Sequence, residues 1–134
     1  MRKFVPLLIA LLICTNVSAA EFAVGAKAYD GGRYAEAFAE WSALARQGDI
    51  RAQTAIANMY RFGEGRAVDT AKAALWYRRA AEAGDPIAQL NYAEMLENGH
   101  GVARDRAAAR RWYTRAAEQG NAWAAEQIRR LNIR

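Results

Sequence analysis

The sequence predicts an all-α protein built from stacked helix pairs, and two observations carry that expectation. Residues 50–85 and 86–121 align without a gap, with 17 of 36 positions identical, and a period of this size marks a stacked repeat. Between the glycines and aspartates that punctuate the chain, the segments are rich in Ala, Arg, Glu and Leu and poor in β-branched residues. That composition favours helix over strand.

The first twenty residues stand apart. Arg2 and Lys3 open the chain, an apolar run follows from Phe4 to Ile13, and Val17-Ser18-Ala19-Ala20 supplies small residues. This is the layout of a secretory signal peptide with cleavage near Ala19 or Ala20. The apolar run falls short of the about 20 residues of a membrane span; a retained amino-terminal anchor is the alternative. The expected location is periplasmic or secreted. Cys14, the only cysteine, lies in the leader and follows the bulky Ile13, where lipid attachment would require a small residue. A chain cleaved after Ala20 has no cysteine, so no disulfide framework holds it and packing must.

Removing Arg2 and Lys3 lowers the cation count from 19 to 17 against 14 acids, a net charge of +3 in place of +5. In the cell envelope such a mildly basic surface suits acidic proteins or anionic lipid headgroups, and nucleic acid is not an expected partner.

Residues 21–49 read as an opening helix pair, in which Gly31-Gly32-Arg33 turns into "YAEAFAEWSALARQGD". In the two full units, 50–85 and 86–121, Asp49, Asp85 and Asn121 recur every 36 residues just after a glycine. Each can accept a hydrogen bond from the first-turn amides of the next helix, while Gly48, Gly84 and Gly120 suit the left-handed residue that ends the preceding one. Pro86 sits at a first helical position, where its missing N–H costs nothing. Asp69 and Asp105 are expected to cap the second helix of each unit. Residues 122–134 begin a further copy as a closing helix.

Most identical positions read as packing positions. Ala57/Ala93, Ala73/Ala109 and Ala81/Ala117 are small where helices must come close, and Trp76/Trp112 with Tyr77/Tyr113 supply bulk. Ala108, which replaces Lys72, is expected to face solvent. "GEG" (63–65) and "GHG" (99–101) follow no strand and precede no Gly-Lys-Ser/Thr, so they read as turn glycines needing positive φ, not as a phosphate cradle.

No catalytic set emerges. The chain beyond residue 20 has one serine, Ser42, and one histidine, His100, placed in different units and without an orienting third group. His100 has no partner at metal-ligand spacing, and Glu64, Asp69 and Asp105 lack the dense alternation of a calcium loop. No cofactor or metal is expected. Arg104, Arg106, Arg110, Arg111 and Arg115 crowd one helix around Asp105 alone. Pairs four apart with like charge weaken a helix, so this face is either a solvated surface or a site for an acidic partner or a lipid surface.

"AxxAxMYxxGxG" (52–65), Asp69/Asp105 and "WYxRAAExG" (76–84 and 112–120) resemble the Sel1-like repeat family, a relative of the tetratricopeptide repeat. The resemblance covers 50–134, and 21–49 looks like a tetratricopeptide unit placed as an opening cap. Leu96 departs from the pattern by replacing Tyr. Arg66-Ala67-Val68 stands where the family has Gly-Val-Pro and is expected to loosen that loop. The resemblance implies an α-solenoid of about seven helices after the leader, and a non-catalytic adaptor that binds another protein or peptide on its concave face. It also sets the helix phase. With Ala57 and Ala93 at the close contacts, the groove positions are Arg51, Thr54, Asn58 and Arg61, then Ile87, Leu90, Glu94 and Glu97, then Trp123, Glu126 and Arg130. None of these matches between the two full copies; Ile87, Leu90 and Trp123 form an apolar centre, with Leu90 and Trp123 the expected anchors. The alternatives are an envelope protein binding anionic lipid or peptidoglycan, and a cell-wall or β-lactam hydrolase. The last is implied by cysteine-rich relatives that pair cysteines within each repeat, which this chain does not do.

Overall fold

Each helix from residue 50 onward starts where an Asx side chain can catch a free amide, whereas the helix that starts at Tyr34 follows Arg33 and has no side-chain cap. The Asp49 carboxylate accepts from Ala52 N–H at 3.0 Å, Asp69 from Lys72 N–H at 3.0 Å and Asp105 from Ala108 N–H at 2.9 Å. Asn121 accepts from Ala124 N–H at 2.9 Å, and Asp85 from Ile87 and Ala88 at 3.4 and 3.3 Å. The preceding helix closes with two crossed bonds around its glycine: Gly48 N–H donates to Ala45 O at 3.1 Å and Asp49 N–H to Leu44 O at 3.0 Å. The same pair forms at Gly84/Asp85 and Gly120/Asn121. A glycine with positive φ followed by a capping residue therefore turns the chain back within three residues.

The computed structural model describes residues 7–132 and, from Ala19 onward, their side chains. Residues 1–6 of the expected leader and 133–134 of the closing segment lie outside the described residues. Seven helices follow in order: α1 (Leu7–Asp30), α2 (Tyr34–Arg46), α3 (Ile50–Phe62), α4 (Thr70–Glu82), α5 (Pro86–Asn98), α6 (Arg106–Glu118) and α7 (Ala122–Asn132). Each packs mainly on its chain neighbours, α1 on α2, α2 on α3, and so on to α6 on α7. There is no strand among the described residues. The molecule is the helical solenoid that the repeat implies.

The interior is small and tight. Ala52, Ala57, Ala73, Ala80, Ala88, Ala93, Ala109 and Ala116 are wholly buried, as are Tyr77 and Met59, and Tyr113 and Met95 are nearly so. Two apolar clusters meet at the partly buried Phe38 and Trp76, one under α1–α3 and one under α3–α7. Trp76 and Trp112 are only partly buried, and an arginine covers part of each ring, Arg79 at 4.7 Å and Arg115 at 4.6 Å. Trp41 locks α1 to α2: its indole lies where a Cβ on Gly25 would be, and its Nε1 donates to Phe22 O at 3.1 Å.

Two expectations need correction. Ala108 does not face solvent; it is 9% exposed and belongs to the α3–α7 cluster. The varying residue Lys72 masked a position that alanine buries, because a long side chain can leave such a site and an alanine need not. The 63–69 loop is not loosened by Arg66. Its guanidinium lies 4.6 Å from the Phe38 ring and 4.3 Å from the Tyr60 ring, and Asp69 N–H reaches Tyr60 O at 2.9 Å.

The second glycine of each long loop meets the preceding unit's backbone. A Cβ on Gly101 would stand 2.1 Å from Thr70 O, and one on Gly65 2.6 Å from Tyr34 O, and both have φ near +70°. Gly101→Ala is therefore expected to lose more than the about 1 kcal/mol of an ordinary glycine replacement, read as the fall in chemical denaturation midpoint. Ala109→Leu is expected to cost about 1–3 kcal/mol by overpacking, while Ala107→Leu, exposed on the same helix, leaves the midpoint within about 0.5 kcal/mol.

Candidate interaction surface

The helices that open each unit, α3, α5 and α7, lie side by side and are cross-linked by polar contacts. Thr54 Oγ1 donates to Asp85 Oδ2 at 2.5 Å, which joins α3 to the N-cap of α5. Arg61 reaches Asn91 Oδ1 and Glu94 Oε2, both at 3.4 Å. Arg130 Nη2 donates to Glu97 Oε1 at 2.5 Å, joining α7 to α5. Tyrosines of the second helices reach up from the core: Tyr77 OH donates to Asn58 Oδ1, and Tyr113 OH to Glu97 Oε2 at 2.9 Å.

Most polar residues assigned to the groove therefore come together but spend their hydrogen-bonding groups within the protein, Arg61 on Glu94 and Arg130 on Glu97, Thr54 on Asp85 and Asn58 on Tyr77. Thr54 is buried and unavailable to a ligand. Asn58, Arg61, Glu94, Glu97 and Arg130 are partly buried. Leu90 is also partly buried and packs on the core cluster, so it supports the fold more than it offers an anchor. The accessible members are Arg51, Ile87, Trp123 and Glu126. Arg51, Ile87 and Trp123 occupy the same position of three successive units, 36 residues apart. Ile87 is 55% exposed and Trp123 58%. An open depression of about 360 Å³ lies at Arg51 and Ile87, lined also by Ile50, Thr54 and Asp85 among others.

Burial raises the Glu97 carboxyl, but the hydrogen bonds from Arg130 and Tyr113 outweigh it and hold Glu97 below the usual carboxylate range. Burial pushes the Tyr77 hydroxyl up to about 12, and the hydrogen bond to Glu64, with burial second, does the same for Tyr29. These hydroxyls stay protonated donors across the physiological range.

Sequence reasoning missed Gln53 and Gln89. Both are buried, and their Nε2 groups donate across the turn to the carbonyls of Ala45 and Ala81 at 3.2 and 3.1 Å. The signal was present: a glutamine repeated at a core position calls for a buried partner. Gln89 Oε1 in turn accepts from Gln119 at 2.9 Å, whereas Gln53 Oε1 has no partner, since Ala83 stands where Gln119 would.

Ser42 is buried in α2 and His100 is exposed in the α5–α6 loop. Among the described residues no group of three His, Cys, Asp or Glu side chains is placed to hold a metal. No described helix is long and apolar enough to cross a membrane.

Stacked antiparallel helix pairs with an interior of alanine and tyrosine define a helical repeat protein of the solenoid class. The Sel1 repeat model matches residues 50–85 and 86–121, more than half of the chain, and the chain belongs to the Sel1 repeat family. Proteins of this family are generally interaction modules and typically non-catalytic scaffolds. A protective antigen of uropathogenic Escherichia coli with the same repeat fold is 36% identical, with a TM-score of 0.80 over 85% of this chain and 25% of its own. A Sel1 repeat protein of Oxalobacter formigenes is 32% identical, with a TM-score of 0.73 over 78% of this chain and 43% of its own. The chain thus spans less than half the length of either. Cysteine rich protein B of Helicobacter pylori, at 21% identity and a TM-score of 0.64 over 67% of this chain and 68% of its own, shares the fold. No curated protein sequence matches the chain significantly.

The Glu97 network gives a pH test. A carboxyl held low stabilises the fold above its unfolded value of about 4.3 and loses that contribution as pH falls through its folded value. Glu97→Gln is expected to cost about 1–2 kcal/mol near neutral pH. The gap to the wild type should then close on acidification, as seen by denaturant melts across the acid range.

Proposed function

We propose that the chain is a non-catalytic adaptor of the cell envelope, with residues 1–20 removed on export and residues 21–134 forming the repeat domain. In that division 21–49 is the opening unit, 50–85 and 86–121 are the repeats, and 122–134 is the closing helix. Phe22, Gly25 and Ala28, by which α1 packs on α2, all lie beyond Ala20, so cleavage there leaves that packing intact. A reporter active only outside the cytoplasm, fused after Arg134, is expected to be active, and an inactive but stable fusion would contradict export.

One observation carries the binding reading. Ile87 and Trp123 stand at one register on α5 and α7, the first helices of consecutive units, and are large, apolar and more than half exposed. An exposed apolar row beside a depression is the feature that protein interfaces bury. Around it the α3/α5/α7 face is cross-braced, so a partner meets a surface that is already ordered, and little ordering cost opposes binding. The partner is a protein or peptide with an apolar stretch, taken across the concave face of the solenoid.

Site-specific photo-crosslinking in cells identifies that partner, with the probe placed at Ile87 or Trp123 and, as the control, at Leu75 on α4. A protein captured from the first two positions and not from the third supports the reading; equal capture from all three contradicts it. With the captured partner, Ile87→Ala and Trp123→Ala are each expected to weaken binding by about 1–3 kcal/mol with an unchanged melt. Leu90→Ala is expected to lower the melt itself.

A further inference from the structure

Two buried glutamines hold the turns between units, and one of them has only half of its bonds made. Gln89 Nε2 donates to Ala81 O at 3.1 Å, and its Oε1 accepts from Gln119 Nε2 at 2.9 Å. The same Gln119 nitrogen donates to Gly84 O at 3.0 Å, so one carboxamide serves two acceptors of the preceding turn. One repeat earlier, the corresponding acceptors are Gln53 Oε1 and Gly48 O, and Ala83 stands in the donor's place. Gln53 cannot turn to make good the difference. Its Nε2 donates to Ala45 O at 3.2 Å, and a carbonyl only accepts, so the amide is held with its oxygen turned away. That oxygen is buried without a hydrogen-bond partner among the described residues, on a side chain that is 9% exposed. A buried amide oxygen left unpaired has lost its hydration for nothing.

Ala83 is also a wall of the open depression of about 360 Å³ at Arg51 and Ile87. Ile50 and Ile87 make that depression apolar, and both are exposed. Its own polar side chains are engaged. Thr54 donates to Asp85, Asp85 caps α5, and Arg51 reaches Asp49 at 3.2 Å. In the next unit the wall residue is Gln119, an aliphatic stem that carries its amide to the turn. The repeat itself therefore shows which group answers the two acceptors. An ammonium would have to shed its water against a buried oxygen, which a neutral amide does at far less cost.

We propose that the depression at Ala83 takes a glutamine side chain of the partner, whose carboxamide donates to Gln53 Oε1 and Gly48 O as that of Gln119 donates to Gln89 Oε1 and Gly84 O. The inference rests on the reading of the α3/α5/α7 face as a binding surface, and it names the residue that the partner brings beside its apolar stretch. The stem of the glutamine packs against Ile50 and Ile87, and its amide supplies the donor that Ala83 does not. A side chain of the same shape without N–H groups leaves the buried oxygen unpaired, and a site of this kind discriminates against it.

The test is fluorescence anisotropy on the purified protein with two labelled peptides. One is acetylated Gly-Leu-Gln-Leu-Gly; the other has methionine for glutamine, which keeps the length and removes the donor. The glutamine peptide is expected to bind about tenfold more tightly, and to lose that advantage in Ala83→Gln, where the protein fills its own site. Ala83 is exposed and has a helical backbone, so the position admits a longer side chain. Ala83→Gln is also expected to raise the melting temperature by about 2–4 °C, because the buried oxygen gains its donor. Ala83→Met, equally long and without a donor, is expected not to raise it. The proposal is overturned if the two variants melt alike, if neither peptide binds, or if the wild type binds both peptides equally. Equal binding that is lost in Ile87→Ala removes the carboxamide alone and leaves the apolar surface standing; crosslinking at Ile87 decides that surface separately.

Discussion

The stacking of this solenoid depends on a contact that only a glycine permits. The loop between the two helices of a unit comes down onto the first turn of the preceding unit's second helix, Gly65 over Tyr34 and Gly101 over Thr70, backbone against backbone. Once that distance is fixed, the helices between can accommodate little, and the alanines at 57, 73, 93 and 109 are the consequence. A larger residue at any of them has no empty volume to enter, and a smaller one leaves van der Waals contacts unmade. The tyrosines do the opposite task. Tyr77 and Tyr113 span the width of the layer, filling the interior with their rings and delivering a hydroxyl to the neighbouring first helix.

The same constraint explains why so much of the fold was legible in the sequence. Packing that repeats must be made by residues that repeat, so the Asx caps, the turn glycines, the buried alanines and the two tyrosines all fell on identical or near-identical positions. The failures came where identity was an incomplete guide. Lys72 and Ala108 differ in burial too, Lys72 exposed and Ala108 in the core cluster, since a lysine can carry its charge out to water where an alanine stays inside. Gln53 and Gln89 were identical but polar, and a rule that equates interior with apolar passes over them. The helix phase brought the groove residues to one face, yet it could not show that Arg61 is bonded to Glu94 and Arg130 to Glu97, or that Asn58 accepts from Tyr77. The first two bonds join residues 33 positions apart, and only the stacking distance decides whether they meet.

That cross-bracing changes what the first helices are for. Buried or half-buried hydrogen-bonded pairs are costly to break and contribute more to a single arrangement than to raw stability. In a structure whose helices touch chiefly their chain neighbours, stability is close to a sum of local terms. Links such as Arg61–Glu94 and Glu97–Arg130 skip one helix, tying α3 to α5 and α5 to α7 across the face. They keep three successive units in one curvature, and so hold Ile87 and Trp123 in fixed relation.

Charge is distributed along the same axis. The opening unit, residues 21–49, has five acids and three cations, whereas residues 86–134 have five acids and eight cations, a shift from −2 to +3. None of that shift touches the repeated interior; it lies at positions such as 106, 110 and 111, where the copies disagree. A repeat protein separates its two requirements in this way. The interior must be the same in each unit because each unit packs on its likeness, while the outside is free to differ because no neighbour reads it. Exposed arginines placed four apart repel one another and earn nothing from packing. Their concentration on one helix, at positions that its sister leaves neutral, carries part of the charge shift along the axis.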